Sequence, residues 1–210
     1  YYHGLSADSA RFSWRLLVPA AMIGAPVLLV AAWLAPDLLI RRIVVSIDNL
    51  ARERLAMKLR PLKPVPGPFV VDGGDGGYTI SPSNFPRYGA ALTVVQAIDE
   101  QALVALYFRW YPRFQQAYRE LGYPDRRFNN RVIEVLDHLI GTPNVAAPFA
   151  LVKPKVYWEY ADPALESASY GRRLLWRIGA DNREALVAKL IAIRGRIVTA
   201  GVAAPAATAR

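Results

Sequence analysis

Two spacings of apolar positions alternate along this chain, one of three to four residues and one of two. Together they predict a mainly α fold of the α+β kind, a multi-helix domain with a small antiparallel β-sheet. Over residues 99–121, Leu103, Tyr107, Trp110, Phe114, Ala117 and Leu121 recur at steps of three and four, which puts a broad apolar stripe on one helix face. Asp99 suits the N-cap, Glu100 the positive end of the helix dipole, and Gly122 a left-handed closure. Pro112 removes one helical hydrogen bond and clashes one turn back, so a kink is expected near Phe108. After a GYPD turn, Asp125 is a candidate cap for a second helix with Phe128, Val132, Leu136 and Leu139 inward, ended by Gly141 and Pro143. A turn so short predicts that these two helices form a central antiparallel pair.

The same reading extends to both sides. Pro36 and Asp37 open a helix with Leu39, Ile43, Ile47 and Leu50 inward and Arg41, Arg42 and Asp48 outward. Residues 64–68, PVPGP, read as an extended connector, and residues 69–80 as a hairpin around a Gly-rich turn. That turn has no Lys-Ser/Thr after it and opens no helix, so it is not a phosphate loop. Residues 84–97 read as a helix with Tyr88, Leu92 and Val95 inward. Period-two alternation over residues 149–162 predicts a strand with Val152, Val156, Trp158 and Tyr160 on one face and Lys153, Lys155, Tyr157 and Glu159 on the other, at an edge because of Pro154. Asp162 and Pro163 start a helix that buries Leu165, Ala168, Leu175 and Ile178 and stops at Gly179. Asp181 and Glu184 form a capping box for a last helix with Leu186, Leu190, Ile193 and Ile197 inward. The folded domain is thus expected over residues 1–198, with 199–210 an Ala-rich disordered tail.

One stretch fits two readings. Residues 16–36, LLVPAAMIGAPVLLVAAWLAP, carry no charge and are flanked by Arg11 and Arg15 before and Arg41 and Arg42 after. About 20 apolar residues span a bilayer. Pro19, Gly24 and Pro26 instead favour two short buried helices.

Charge changes the picture of partners. With 26 Lys plus Arg against 17 Asp plus Glu, the net charge of +9 favours anionic partners such as lipid headgroups, nucleic acid or envelope polymers, and the expected partner is a protein or an anionic membrane surface. The densest basic run follows Ala51, and Arg41, Arg42, Lys58, Arg60 and Lys63 are the candidate contacts for lipid headgroups. Cysteine is absent, which excludes disulfides, thiolate metal sites and cysteine nucleophiles. Candidate chemistry is sparse. His3 cannot be placed, while His138 shares a helix face with Glu134 and Arg131, a pair with acid/base potential but without the second histidine of a zinc site. No serine stands in a nucleophile motif. Glu159, Asp162 and Glu166 are close in sequence, and Asp162 is already a cap. Tyr123, Arg127, Lys155 and Tyr157 are the candidate lining of a groove for a peptide or glycan, beside Tyr111, Tyr118 and Trp158. No nucleic-acid motif occurs, so nucleic acid is not an expected partner. Neither cofactor, metal nor small-molecule substrate is expected.

Several segments together resemble a known family: LIRRIVVSIDNLAR at 39–52, RPLKPVPGPF at 60–69, YPRFQQAYRELGYPDRRFNNRVIEVLDHLIGTP at 111–143 and LVKPKVYWEYADPALE at 151–166. Their order and wording are similar to the bacterial family catalogued as domain of unknown function 3014. The resemblance implies an envelope-anchored protein facing the periplasm and brings no activity, cofactor or catalytic residue. It also implies that residues 16–36 lie inside the soluble domain. The expectation is therefore a non-enzymatic, envelope-associated interaction or accessory subunit, with an integral membrane-complex subunit and an envelope hydrolase as the alternatives.

Overall fold

The computed structural model describes residues 36–53, 67–74 and 76–203. The stretch before Pro36, the basic positions Arg54, Lys58, Arg60 and Lys63, and residues 204–210 lie outside them.

Helix α1, Pro36–Leu50, opens on a proline whose missing N–H is harmless in a first turn. It buries Ile40, Val44 and Val45, so its inward stripe is centred one position beyond the expected Leu39, Ile43 and Ile47, which are half-buried. A hairpin of β1 (Val71–Gly74) and β2 (Gly77–Ile80) follows. The helix expected over 84–97 is instead a 3-10 turn, Pro82–Tyr88, and then α2, Gly89–Ala97. Pro86, lacking an N–H, keeps the first part from being an α-helix.

The long aromatic helix is two helices. α3, Glu100–Arg109, ends at Trp110, and α4, Tyr111–Glu120, begins there. The break lies two residues past the expected kink because Pro112 then falls in a first turn, where its lost N–H has no partner to leave unpaired. Asp99 caps α3 by accepting the Ala102 N–H at 2.7 Å, and Gly122 closes α4 at φ +106°. Helix α5, Phe128–Ile140, does not use Asp125. Its first N–H, from Phe128, donates to Gln115 Oε1 at 2.8 Å, so the cap comes from α4.

The single strand expected over 149–162 is a second hairpin, β3 (Ala150–Val152) and β4 (Glu159–Tyr160), because Lys153-Pro154 breaks the ladder. The antiparallel sheet runs β1-β2-β3-β4, with Val71 opposite Ile80, Tyr78 opposite Leu151 and Leu151 opposite Tyr160. Its inner face covers a core of Ile80, Phe149, Leu151, Tyr160 and Trp176, whereas Val152 and Val156, expected on the same face as Tyr160, are exposed. The helix expected over 162–179 is divided into α6, Pro163–Glu166, and α7, Tyr170–Arg177, because Ser169 caps a fresh start on Arg172 N. Asp162 caps α6 as expected. After Gly179, α8 runs from Ala180 to Ala203, so residues 199–203 of the expected tail are helical.

The helical core gathers around Phe128, which has no exposed surface and meets the rings of Tyr107, Phe114 and Tyr118 at 5.3–6.5 Å. The central pair α4 and α5 meets there. Each also takes a second partner. Asp37 pairs with Arg113 at the first turns of α1 and α4, and Arg52 donates to Tyr123 Oη beyond their ends, so those two helices run parallel. Asp137 pairs with Arg194, and Asn129 lies beside Gly201, so α5 and α8 run antiparallel. Buried Lys189 on α8 holds the α2–α3 corner by pairing with Glu100 and donating to the carbonyls of Gln96 and Ile98.

The end of α1 touches α7 backbone to backbone. A Cβ on Gly171 would meet Leu50 O at 2.8 Å and the Leu139 side chain. Gly195, in mid-α8, has open space. Gly171→Ala is expected to cost about 1–3 kcal/mol, and Gly195→Ala to stabilise by about 0.5–1 kcal/mol. Urea unfolding of both variants checks this, and shifts of the same sign would contradict the contact.

Candidate functional site

The last turn of α1, the first half of α5 and the start of α7 converge on a seam of ionisable side chains. Asp48, expected outward, is 4 % exposed. The 3.6-residue period carries it to the side facing α5, where a charge must be paired. Arg131 Nε meets its Oδ1 at 2.8 Å and Arg52 its Oδ2 at 2.9 Å. Arg131 also donates to the Asp48 carbonyl at 2.8 Å and to Glu134 at 2.6 Å. Arg52, the one described member of the basic run after Ala51, thus contacts the fold while its side chain stays 47 % exposed. Its hydrogen bond to Tyr123 Oη fixes a ring that stacks on buried Tyr118 at 4.6 Å.

One turn further along α5, His138 Nε2 lies 2.7 Å from Ser169 Oγ. Burial first, then the charges of Arg172 and Arg131, push the imidazole below its ordinary value of 6.5, with Glu134 opposing them. A neutral imidazole beside a hydroxyl is half of a nucleophile device. Here Ser169 is buried and also accepts the Arg172 N–H as the cap of α7, so its oxygen holds helices together. The other acids are similarly engaged. Glu134 accepts from Arg131, Asp162 caps α6, and Glu166 accepts the Tyr160 N–H and pairs with Arg173.

Two shallow clefts stand elsewhere. One of about 590 Å³ lies between α1 and α4, bordered by Leu38, Arg41, Arg113 and Glu120. Another of about 360 Å³ lies between the end of α5 and the start of α8, bordered by Thr142, Asn144 and Arg183. Neither is bordered by His138 or Ser169. Among the described residues, no group of three His, Asp or Glu stands together as a metal site.

Of the candidate headgroup contacts, Arg41 is exposed at the first cleft. Arg42 is half-buried, and its Nε has no hydrogen-bond partner. Lys58, Arg60 and Lys63 lie outside the described residues. The candidate groove divides between two places: Tyr123 and Arg127 sit at the α4–α5 turn, while Lys155 and Tyr157 sit on the exposed β3–β4 tip. The Asp48–Arg131 clamp was missed in the sequence, where the one available signal was an acid in an otherwise apolar helix. No single helix among the described residues is long and apolar enough to cross a membrane. Pro82–Ala97 with Glu100–Arg109 passes that test together but bends by 74°.

A mainly helical α+β domain whose charged seam is internal is thus the class that fold and site define. The family model described as Protein of unknown function (DUF3014) matches residues 39–194, most of the chain, and the chain belongs to that family. No curated protein and no solved structure matches it.

Because His138 gains its proton against burial and two guanidinium groups, the unfolded chain binds that proton more tightly. The stability contributed by neutral His138 is complete above 6.5 and lost as the pH falls below it. Urea unfolding between about pH 8 and about pH 5 should show the wild type weakening below pH 6.5 more than His138→Gln does. Parallel profiles would contradict it.

Proposed function

We propose that this chain is a non-enzymatic accessory subunit held at a membrane through residues 16–36, in the bacterial cell envelope on the periplasmic side. The observation that carries this reading is what lies where that uncharged stretch joins the fold. Its last residue, Pro36, is the first of α1, and the next turn displays Leu38, 55 % exposed, beside exposed Arg41 and Arg113. The Arg113 guanidinium lies over Trp110 at 5.2 Å. An exposed leucine beside arginine is the composition of a membrane interface, with apolar surface toward the acyl boundary and Arg41 toward headgroups, while Arg113 is paired with Asp37. Each arginine near an anionic surface contributes about 1 kcal/mol.

A non-enzymatic role is supported by the engagement of His138, Ser169, Glu134, Asp162 and Glu166 in helix caps and ion pairs, away from both clefts.

Flotation tests the membrane reading. The full chain should float with phosphatidylcholine vesicles containing phosphatidylglycerol, and Arg41→Gln should weaken binding about fivefold, an effect that salt diminishes. A chain that stays monodisperse without detergent and does not float would overturn it.

A further inference from the structure

We propose that the β3–β4 tip, residues 153–157, is a docking knob for a protein partner that offers an apolar pocket with an acidic rim. This rests on the accessory-subunit reading and gives its partner a chemistry. Val156 and Tyr157 are 74 % and 79 % exposed, the most exposed large apolar side chains among the described residues. They stand together on a two-strand projection rather than scattered over the surface, and adjacent exposed apolar groups mark an interaction site. Lys153 and Lys155 share the tip with them, and neither has an acidic partner among the described residues.

The knob is braced. Pro154 restricts the backbone, and Lys153 Nζ lies 5.5 Å from the centroid of the Trp158 ring, which packs against Tyr78 at 4.9 Å. Trp158 in turn leans on the core under the sheet. An ordered tip gives up little conformational freedom on binding, and tyrosine is the kind of residue that anchors an interface.

Shape and place select the occupant. A convex Val-Tyr tip encloses nothing, so it fits a recipient that supplies the pocket, which disfavours a glycan or small molecule as the bound party. A lipid surface also receives convex apolar tips. However, the sheet packs on α6 and α7, and α7 meets α1 at its far end, through Leu50 O beside Gly171 and Arg52 O accepting from Tyr170 N. Residues 16–36 join the opposite end of that helix, about 22 Å away at 1.5 Å per residue. On the proposed tether, the sheet packs near the end of α1 that is not joined to residues 16–36, which favours another protein over the bilayer as the occupant. The two lysines then require acids around the pocket.

In-cell cross-linking of the full chain tests this. Tyr157→p-benzoylphenylalanine, with the same group at exposed Val94 as a control, is irradiated in the native host and the adducts are sequenced. The expected result is one discrete protein adduct, specific to position 157, whose cross-linked peptide is apolar and bordered by Asp or Glu. It should be lost in Lys153→Glu/Lys155→Glu chains that retain wild-type circular dichroism. Against the purified protein so identified, Tyr157→Ala should bind about thirtyfold more weakly. An adduct with a second copy, lipid or glycan, adducts shared with Val94, insensitivity to the lysine reversal, or no adduct would each overturn the proposal. Membrane fractionation of the same cells reads the tether separately. A chain that washes off membranes while the adduct persists refutes the tether alone, and a retained chain without an adduct refutes the knob alone.

Discussion

A carboxylate almost without solvent, Asp48, fixes how the helices of this domain meet. Taking a charge out of water costs several kcal/mol unless the interior supplies opposite charge and hydrogen bonds. Here both carboxylate oxygens are engaged, one by Arg131 of α5 and one by Arg52 beyond the end of α1. Arg131 adds a bond to the backbone of Asp48 itself, so its guanidinium registers α5 against a single turn of α1. Arg52 extends the grip, since its side chain reaches Tyr123 at the α4–α5 turn and its carbonyl accepts the first N–H of α7. Greasy contacts alone tolerate rotation and sliding of one helix on another. A buried ion pair with this geometry does not, and Leu50 and Gly171 approach closely just beyond it.

The aromatic cluster complements that clamp. Phe128 is the hub on which Tyr107, Phe114 and Tyr118 converge, and its own helix start is capped from α4 by Gln115. The same glutamine side chain donates to the Arg126 carbonyl, so the turn between α4 and α5 is held by one residue. Rings thus join α3, α4 and α5, while the charges join α1 to α5 and to the α4–α5 turn.

Helix content was legible because period and caps are local. Asp99 and Asp162 cap their helices, Gly122 closes α4, and the stripe of Ile197, Ile193, Leu190 and Leu186 faces inward as the spacing requires. What could not be read depends on distant partners. The cap of α5 comes from Gln115, thirteen residues upstream. Asp48 has an arginine 83 residues away. The division at Ser169 follows from a hydroxyl that serves both a helix start and a histidine on another helix. Alternation over residues 149–162 gives strand but not the break at Pro154, so it puts Val152 and Val156 on one face with Tyr160, whereas they are exposed and Tyr160 is buried. The four candidate groove residues divide between two places, Lys155 and Tyr157 on the β3–β4 tip and Tyr123 and Arg127 at the α4–α5 turn, because spacing along the chain does not show which loops meet.

The domain thus has two ends, one where the uncharged stretch enters α1 and one where the sheet projects, with the Asp48 clamp holding the spine between them. A double-mutant cycle of Asp48→Asn and Arg131→Gln, followed by urea unfolding, tests that clamp most directly. The account predicts a coupling of about 1–3 kcal/mol between the two sites. Additivity of the single effects to within about 0.5 kcal/mol would contradict it.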